Sequence, residues 1–228
     1  VRRDFVANVS HELKTPGGAL SLLAEAVLAA SDDPVQVRHF AERMQIEAGR
    51  LSMLIQDVID LSRLQGDDPL THAEVIDVDD LVQRAIDEVR TLATRQEIEL
   101  LTGEPSGAVI YGDAGQLLTA IRNLLTNAIS YSPGHTRVAV SARAADSIVE
   151  IAVKDQGIGI PVNDLDRIFE RFYRVDQARS RITGGTGLGL AIVKHSLNRH
   201  QAQLDIRSTP GVGSRFAAKC PTGRIVRL

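Results

Sequence analysis

The stretch Ser10-His11-Glu12-Leu13-Lys14-Thr15-Pro16 lies near the start of a segment with the pattern of a long amphipathic helix. Pro16 has no backbone N–H, and its ring clashes with the carbonyl of Glu12, at a cost of about 3 kcal/mol inside a helix. Gly17 and Gly18, which follow directly, each cost roughly 1 kcal/mol relative to alanine. The helix therefore either ends at this point or continues through a weakened turn.

Apolar or helix-compatible residues continue past this turn at alternating steps of three and four. The first run is Val6, Val9, Leu13, Pro16, Leu20, Leu23 and Val27, and the second, beyond Asp32-Asp33-Pro34, is Val37, Phe40, Met44, Glu47, Leu51, Leu54, Val58 and Leu61. Because the heptad phase is kept across Pro16, we predict that the first run forms one bent helix. The second run forms another helix, and the two together make a helical hairpin over residues 1–66. A hairpin cannot bury both seams alone, so two copies should form a four-helix bundle. His11 takes position f, farthest from the seam, and should be exposed.

The composition excludes several classes of protein. With 43% apolar and 24% charged residues, the chain is an ordinary globular sequence, and its net charge of −3 gives no reason to expect a nucleic-acid partner. The single cysteine, Cys220, excludes an intrachain disulfide and favours a reducing compartment. No apolar run is long enough to cross a bilayer. The chain begins within a helical pattern, so we expect a fragment of a longer protein.

The remainder of the chain predicts a second domain of mixed type. Gly66 to Pro69 ends the hairpin, and residues 67–77 are interpreted as a linker. Over residues 78–228, helices and paired strands follow one another in an order typical of an α+β fold, with one sheet covered by helices on one face. A short helix is expected near 163–169 and a glycine-rich loop over 174–187.

Two motifs of the second domain offer oxygen atoms to a ligand. Asn123 and Asn127 are four residues apart, on one face of a helix, and such amides can serve hydrated Mg²⁺, although paired asparagines usually only face solvent. Asp155 follows a strand, and Gly157 and Gly159 after it would let the backbone approach a ligand that donates an amine to the carboxylate. A tight turn capped by an aspartate is the structural alternative.

The segment from Gly184 to Lys194 is the stronger signal. A glycine-dense loop that runs directly into a helix presents free N–H groups and a positive helix end, which suits phosphate. Its spacing fits neither the dinucleotide-binding glycine pattern nor the P-loop. Arg174, upstream, could screen phosphate charge, or could belong to a solvated basic loop.

Taken in order, the motifs are His-Glu-Leu-Lys-Thr-Pro, Asn-x-x-x-Asn, Asp-x-Gly-x-Gly, Phe-Glu-Arg-Phe, Gly-x-Gly-Leu-Gly-Leu and Gly-x-Gly-Ser-x-Phe. This order resembles the transmitter region of bacterial sensor histidine kinases over nearly the whole chain. The residues Arg3 to His11 are most similar to the phosphate-responsive kinases of actinobacteria. The resemblance implies a dimeric helical hairpin followed by an α/β sandwich of the type shared by gyrase, Hsp90, histidine kinases and MutL.

The resemblance also implies roles for individual residues. His11 would be the phospho-acceptor, Glu12 would fix its tautomer and support its developing charge, and Thr15 would orient a water in the reverse, phosphatase reaction. ATP and Mg²⁺ would occupy the second domain, and an aspartate of a response regulator would receive the phosphoryl group. Asn127 would bind Mg²⁺, with Asn123 close by, while Tyr131 would line the adenine pocket and Asp155 would bind the adenine amine. The phosphate loop and the lid that follows Phe172 would include Arg174, Gly185, Thr186, Gly187, Leu188 and Gly189. Gly157 and Gly159 would help to shape the nucleotide pocket.

Three departures from the family pattern are Gly17, where a bulky apolar residue is usual, Ser130, where lysine is frequent, and Gln201-Ala202 in place of Gly-Gly. Two other functions are open. An ATPase of the same nucleotide-binding fold needs a glutamate at the position of Asn123 to activate water, and an amide cannot act as that base. A degenerate scaffold would dimerise through the hairpin without catalysis.

Overall fold

The computed structural model describes residues 2–64, 72–175 and 185–222, and the side chains of all of these except 2–6. The linker residues 67–71 and the loop residues 176–184, which include most of the expected lid and Gly184, lie outside the described part. Two long helices come first, α1 (Arg2–Ala29) and α2 (Pro34–Leu64). Asp33 caps α2, since its carboxylate accepts the backbone N–H groups of Val35 at 3.0 Å and Gln36 at 3.2 Å. Pro34 takes the first helical position, where its missing N–H costs nothing.

The weakened turn at Pro16 does not end the first helix. Pro16 lies inside α1, which is a single helix, as the unbroken heptad phase predicts. The described seam positions of both helices are all buried or half-buried, including Pro16 and the polar Glu47. The side chain of His11 is 81% exposed, in agreement with its position f. The predicted helical hairpin is confirmed.

In its described residues, the second domain contains two sheets. A five-stranded sheet has the order β2-β4-β5-β7-β6, in which β2 and β4 are parallel and the other pairs are antiparallel, and a two-stranded antiparallel sheet pairs β1 with β3. The strands are β1 (Glu74–Asp77), β2 (Glu99–Thr102), β3 (Val109–Gly112), β4 (Arg137–Ala145), β5 (Ile148–Lys154), β6 (Gln203–Thr209) and β7 (Gly213–Pro221). Within residues 72–175 and 185–222, the helices that accompany them are α3 (Val78–Arg95), α4 (Ala114–Ser130) and α5 (Gly189–Arg199).

One hydrophobic core joins the helices to the large sheet. Alternate residues of the central strands, such as Val149, Ile151 and Val153 of β5, point into it together with the apolar faces of α3, α4 and α5. Asp77 caps α3 and Asp113 caps α4, each through side-chain bonds to backbone N–H groups of the first turn. The α+β architecture predicted from the order of helices and strands is confirmed.

Two local elements differ from the sequence interpretation. Strand β1 lies inside the stretch 67–77 interpreted as linker, because Ile76 is buried and residues 74–77 pair with residues 109–112 of β3. The short helix expected near 163–169 is instead two 3-10 turns, Val162–Asp164 and Arg167–Phe169. In the described part of the chain, no helix combines the length and apolar character needed to cross a membrane.

Candidate functional site

Asp155 is held in place by the backbone on both sides of it. Its Oδ1 accepts the N–H of Gly157 at 2.8 Å and the N–H of Ser214 at 3.0 Å, and the residue is only 8% exposed. Its Oδ2 has no hydrogen bond in the described structure. Burial raises the pKa of the carboxyl group, and the two backbone bonds partly offset that rise. One oxygen of Asp155 is therefore fixed, and the other remains available to a donor.

The turn after Asp155 is packed too closely for side chains. A Cβ on Gly157 would lie 2.6 Å from the carbonyl oxygen of Tyr131, and Gly159 has φ 68° with its Cβ position 2.2 Å from the carbonyl oxygen of Thr209. Ile158 donates its N–H to the Tyr131 carbonyl at 3.2 Å and accepts the Gly211 N–H at 2.7 Å. The Asp-x-Gly-x-Gly turn is thus wedged between the end of α4 and the β6–β7 turn.

Helix α4 carries the paired amides and ends at Tyr131. Asn123 donates its Nδ2 to the carbonyl of Thr119 at 2.9 Å, which leaves its Oδ1 turned toward the start of α5. That oxygen lies 2.9 Å from the Cβ position of Gly189. The side chain of Asn127 is half-buried and makes no hydrogen bond within the described structure. Asn127 thus presents an unengaged amide on the same helix as Asn123.

The start of α4 is held by a buried histidine. The Nε2 of His200 accepts the backbone N–H of Asp113 at 2.9 Å, so the ring proton must be on Nδ1, which donates to the carbonyl of Ser196 at 2.7 Å. Burial lowers the pKa of His200, with smaller opposing effects from the Ser196 bond and the Asp113 charge. A Cβ on Gly112 would lie 2.5 Å from the ring. The neutral ring therefore fixes the turn from which α4 begins.

The glycine loop lies beside α4 and Tyr131. The hydroxyl of Tyr131 lies 3.5 Å from the Cβ position of Gly185. Gly187 has φ 73°, its Cβ position is 2.8 Å from the Cα of Phe172, and its carbonyl accepts the Phe172 N–H at 2.8 Å. The structure therefore brings together Asn123, Tyr131, Gly185 and Gly189, and a neighbouring turn holds Asp155.

The described part of the chain holds no group of three or more His, Cys, Asp or Glu side chains able to bind a metal ion. A divalent cation near these residues would thus need oxygens from amides, from water or from a ligand. The free amide of Asn127 suits Mg²⁺, which takes few protein ligands and keeps several waters.

The hairpin places His11 at a second site. Its Nδ1 is 3.9 Å from Oε1 of Glu12, a distance longer than a hydrogen bond, as expected for consecutive helical residues. Thr15 donates its hydroxyl to the His11 carbonyl at 3.3 Å. A cavity of about 260 Å³ lies between this part of α1 and the segment from Glu170 to Tyr173, and His11 lines it. The phospho-acceptor candidate therefore faces the second domain.

Arg174 also lies at this junction, where it contacts α1. Its Nη2 is 3.5 Å from Oε2 of Glu12, and its side chain is only 13% exposed. The role of Arg174 in nucleotide binding stays a prediction, and in this structure the guanidinium pairs with a hairpin carboxylate.

Sequence reasoning did not find the contact between the hairpin and the glycine loop. The hydroxyl of Thr186 donates to Oδ2 of Asp57 on α2 at 2.5 Å and accepts the N–H of Leu188 at 3.2 Å. Fully buried Leu188 packs in a cluster of hairpin and α5 residues, namely Leu54, Leu61, Leu64 and Ile192, with Leu13, Val58 and Phe172 at its edge. Arg122 of α4 adds an ion pair to Asp60 at 3.5 Å. The sequence pattern could not predict this contact, because the heptad repeat already explains Leu54 and Leu61 as residues of the hairpin seam.

Two family models match the chain. Residues 112–224 match the histidine kinase-, DNA gyrase B- and HSP90-like ATPase, and residues 1–67 match the His Kinase A phospho-acceptor domain. The chain is 53% identical to the sensor-like histidine kinase SenX3 of Mycolicibacterium smegmatis, over 96% of this chain and 57% of that protein. It is 38% identical to the phosphate regulon sensor protein PhoR of Pseudomonas aeruginosa, over 95% of this chain and 49% of that protein.

A solved structure extends the comparison. The mycobacterial sensor histidine kinase MprB is 30% identical and superposes with a TM-score of 0.56, over 65% of this chain and 96% of that one. The chain spans about half the length of the curated relatives named above.

Proposed function

The chain belongs to the sensor histidine kinase family, and from that membership we propose that it forms the transmitter region of a two-component kinase. In this proposal ATP phosphorylates His11, and the phosphoryl group then passes to an aspartate of a response regulator. The likeness to SenX3 and PhoR supports a phosphate-responsive kinase of the actinobacterial type. The chain would be the cytoplasmic portion of a longer, membrane-anchored protein.

The observation that carries this proposal is the state of Asp155. Its Oδ1 is saturated by two backbone N–H groups, and its Oδ2 is left without a partner. A carboxylate oxygen accepts but cannot donate, so the free oxygen suits the exocyclic amine of adenine. Gly157 and Gly159 allow the base to approach the backbone, and Tyr131 would line the other side of the pocket.

The phosphates would extend from the adenine pocket toward the start of α5. The backbone of residues 185–189 and the positive end of α5 suit anionic oxygens. Asn127 would hold Mg²⁺, with Asn123 beside it, and the ion would neutralise phosphate charge when bound. Gly185, Gly187 and Gly189 would give the triphosphate room, Thr186 and Leu188 would shape the loop, and Arg174 would approach the γ-phosphate after leaving Glu12.

Transfer to His11 needs a neutral imidazole. One ring nitrogen forms a bond to the γ-phosphorus as the bond from that phosphorus to the bridging oxygen breaks, and ADP leaves. With Glu12 on the Nδ1 side at 3.9 Å, Nε2 is the attacking atom. A small rotation of Glu12 would bring its carboxylate within hydrogen-bond distance, where it would fix the tautomer and support the positive charge.

The hairpin would act as a homodimer. The chain leaves large apolar side chains of both helices exposed, including Leu22 at 68% and Ile46 at 69%, together with Leu28, Val35 and Met53. A second hairpin would bury these side chains, each worth about 1.5–3 kcal/mol when fully removed from water. The exposed face around His11 would then receive the response regulator, and Thr15 would orient a water when the kinase acts in reverse as a phosphatase.

The two alternative functions make different predictions at Asn123, Asp155 and Asn127. An ATPase without phosphohistidine would need a base where Asn123 donates to the Thr119 carbonyl, and an amide is not one. A non-catalytic scaffold would not need the unpaired oxygen of Asp155 or the unpaired amide of Asn127.

The test is labelling with γ-labelled ATP and Mg²⁺. We expect label on the protein that is lost in acid and stable in base, as for a phosphoryl group on imidazole nitrogen. His11→Ala should abolish it, whereas His39→Ala, which removes another exposed histidine of the hairpin, should leave it unchanged. Label that survives His11→Ala would overturn the proposal, and ATP turnover without any label would favour the ATPase.

A further inference from the structure

Asp57 is a half-buried acidic side chain that the proposed reaction does not use. It lies on α2, and its Oδ2 accepts the hydroxyl of Thr186 at 2.5 Å. Burial raises the pKa of Asp57, and the charge of Asp60 adds to this effect, while Thr186 and Arg122 oppose it. A helix of the hairpin thus directs a carboxylate at the loop that would hold nucleotide phosphates.

The hydroxyl of Thr186 has its one donor proton committed in this arrangement. It donates to Asp57 and accepts the N–H of Leu188, in the turn that leads into α5. A hydroxyl has one proton to donate. While Asp57 holds that proton, Thr186 cannot donate to a phosphate oxygen.

A second acidic residue of the hairpin is used in a similar way. Glu12 pairs with Arg174 at 3.5 Å, and Arg174 is the cation expected near the phosphates. Two polar groups that a triphosphate would engage are therefore engaged by carboxylates of α1 and α2.

Apolar contacts hold the loop against the hairpin around this bond. Leu188 is fully buried, and Ile192 of α5 packs in the same cluster as Leu54 and Leu61 of α2. Arg199 at the end of α5 donates to the carbonyl of Leu64 at 3.4 Å. The Thr186–Asp57 bond is therefore part of a formed interface between the domains.

We propose that Asp57 competes with nucleotide phosphate for Thr186, so that docking of the second domain on α2 and binding of ATP oppose each other. The inference rests on the proposed function, since it needs the loop to bind phosphate. An ionised carboxylate at the loop repels a triphosphate and withholds a donor from it. By reciprocity, if docking weakens nucleotide binding by a given factor, bound nucleotide weakens docking by the same factor.

The test is the affinity of the full chain for Mg²⁺ with a non-hydrolysable ATP analogue, measured by calorimetry. Asp57→Asn removes the charge and keeps the side-chain shape, and Asp57→Ala removes the hydrogen bond as well. We expect both variants to bind the analogue at least about 5-fold more tightly than the unmodified chain, the lower end of typical coupling between sites. Asp32→Asn removes one charge from the turn of the hairpin, far from the loop, and should change nothing.

The outcomes separate the two proposals. If the unmodified chain binds the analogue and both Asp57 variants bind with unchanged or weaker affinity, competition by Asp57 is wrong while the proposed function stands. If no form of the chain binds the analogue, both proposals fail. If Asp32→Asn also bound the analogue more tightly, the gain in affinity would follow from the net charge of the chain, and the assignment to Asp57 would be overturned.

Discussion

Asp155→Asn is the substitution that most selectively probes the adenine pocket proposed above. The Asn side chain keeps an oxygen that can accept the N–H groups of Gly157 and Ser214, so the local fold should survive. In that orientation its NH₂ group replaces the free oxygen and meets the adenine amine, donor against donor. A donor left unsatisfied in a buried site costs about 1–3 kcal/mol. Nucleotide affinity should therefore fall by about 5- to 150-fold.

Calorimetric titration of the Mg²⁺–nucleotide complex measures this loss, with a thermal melt of each variant beside it. Asp146→Asn is the matched control, because it removes one charge at an exposed turn whose φ of 51° asparagine tolerates. Asp155→Ala should lower both affinity and melting temperature, since it leaves two buried N–H groups unpaired. Unchanged affinity in Asp155→Asn, with the fold intact, would refute the assignment of Asp155 to the adenine amine.

Three further predictions concern the scaffold. Gly159→Ala should destabilise the second domain by more than about 1 kcal/mol in urea denaturation, because φ is 68° and the added Cβ would lie 2.2 Å from the Thr209 carbonyl oxygen; a gain in stability would contradict this. Burial lowers the pKa of His200, so on acidification the unfolded chain takes up a proton near pH 6.5 before the folded chain does. The free energy of unfolding should therefore be greatest above that pH and should fall as the pH is lowered through it. His200→Gln should make the free energy of unfolding depend less on pH over this range. Gly17→Ala should stabilise the chain by up to about 1 kcal/mol in thermal melts, since the helix has open space there; a lower melting temperature would show that the glycine itself is needed.

Residue spacing and residue type predict most of the fold and select the residues of the candidate site. The heptad pattern correctly predicts that α1 continues through Pro16, because the packing of a whole helix face outweighs the unfavourable helix propensity of one residue. Residue types at fixed spacing also identified the Asp155 turn and the paired amides of α4. The structure places Asn123 and Tyr131 close to the glycine loop, while the roles of these residues in binding stay predictions.

Contacts between domains could not be predicted in the same way. Leu54 and Leu61 satisfy the hairpin heptad, and nothing in their spacing shows that Leu188 shares their cluster. Asp57 is one polar residue among several on α2, and only the fold brings it to Thr186, 129 residues later. Strand β1 falls within the predicted linker, because its four residues include one buried side chain and are too few to show the alternation of buried and exposed residues that marks a strand.

Peptide mapping at neutral pH, after incubation of the chain with Mg²⁺ and ATP, shows which side chain is phosphorylated. Fragment spectra of the peptide that contains Ser10, His11 and Thr15 locate the added phosphoryl group on one side chain. We expect the group on His11 of the unmodified chain, and its absence in Asp155→Ala, which should not hold ATP. A phosphoryl group on Ser10 or Thr15, or an unmodified peptide from a chain that binds and consumes ATP, would contradict this expectation.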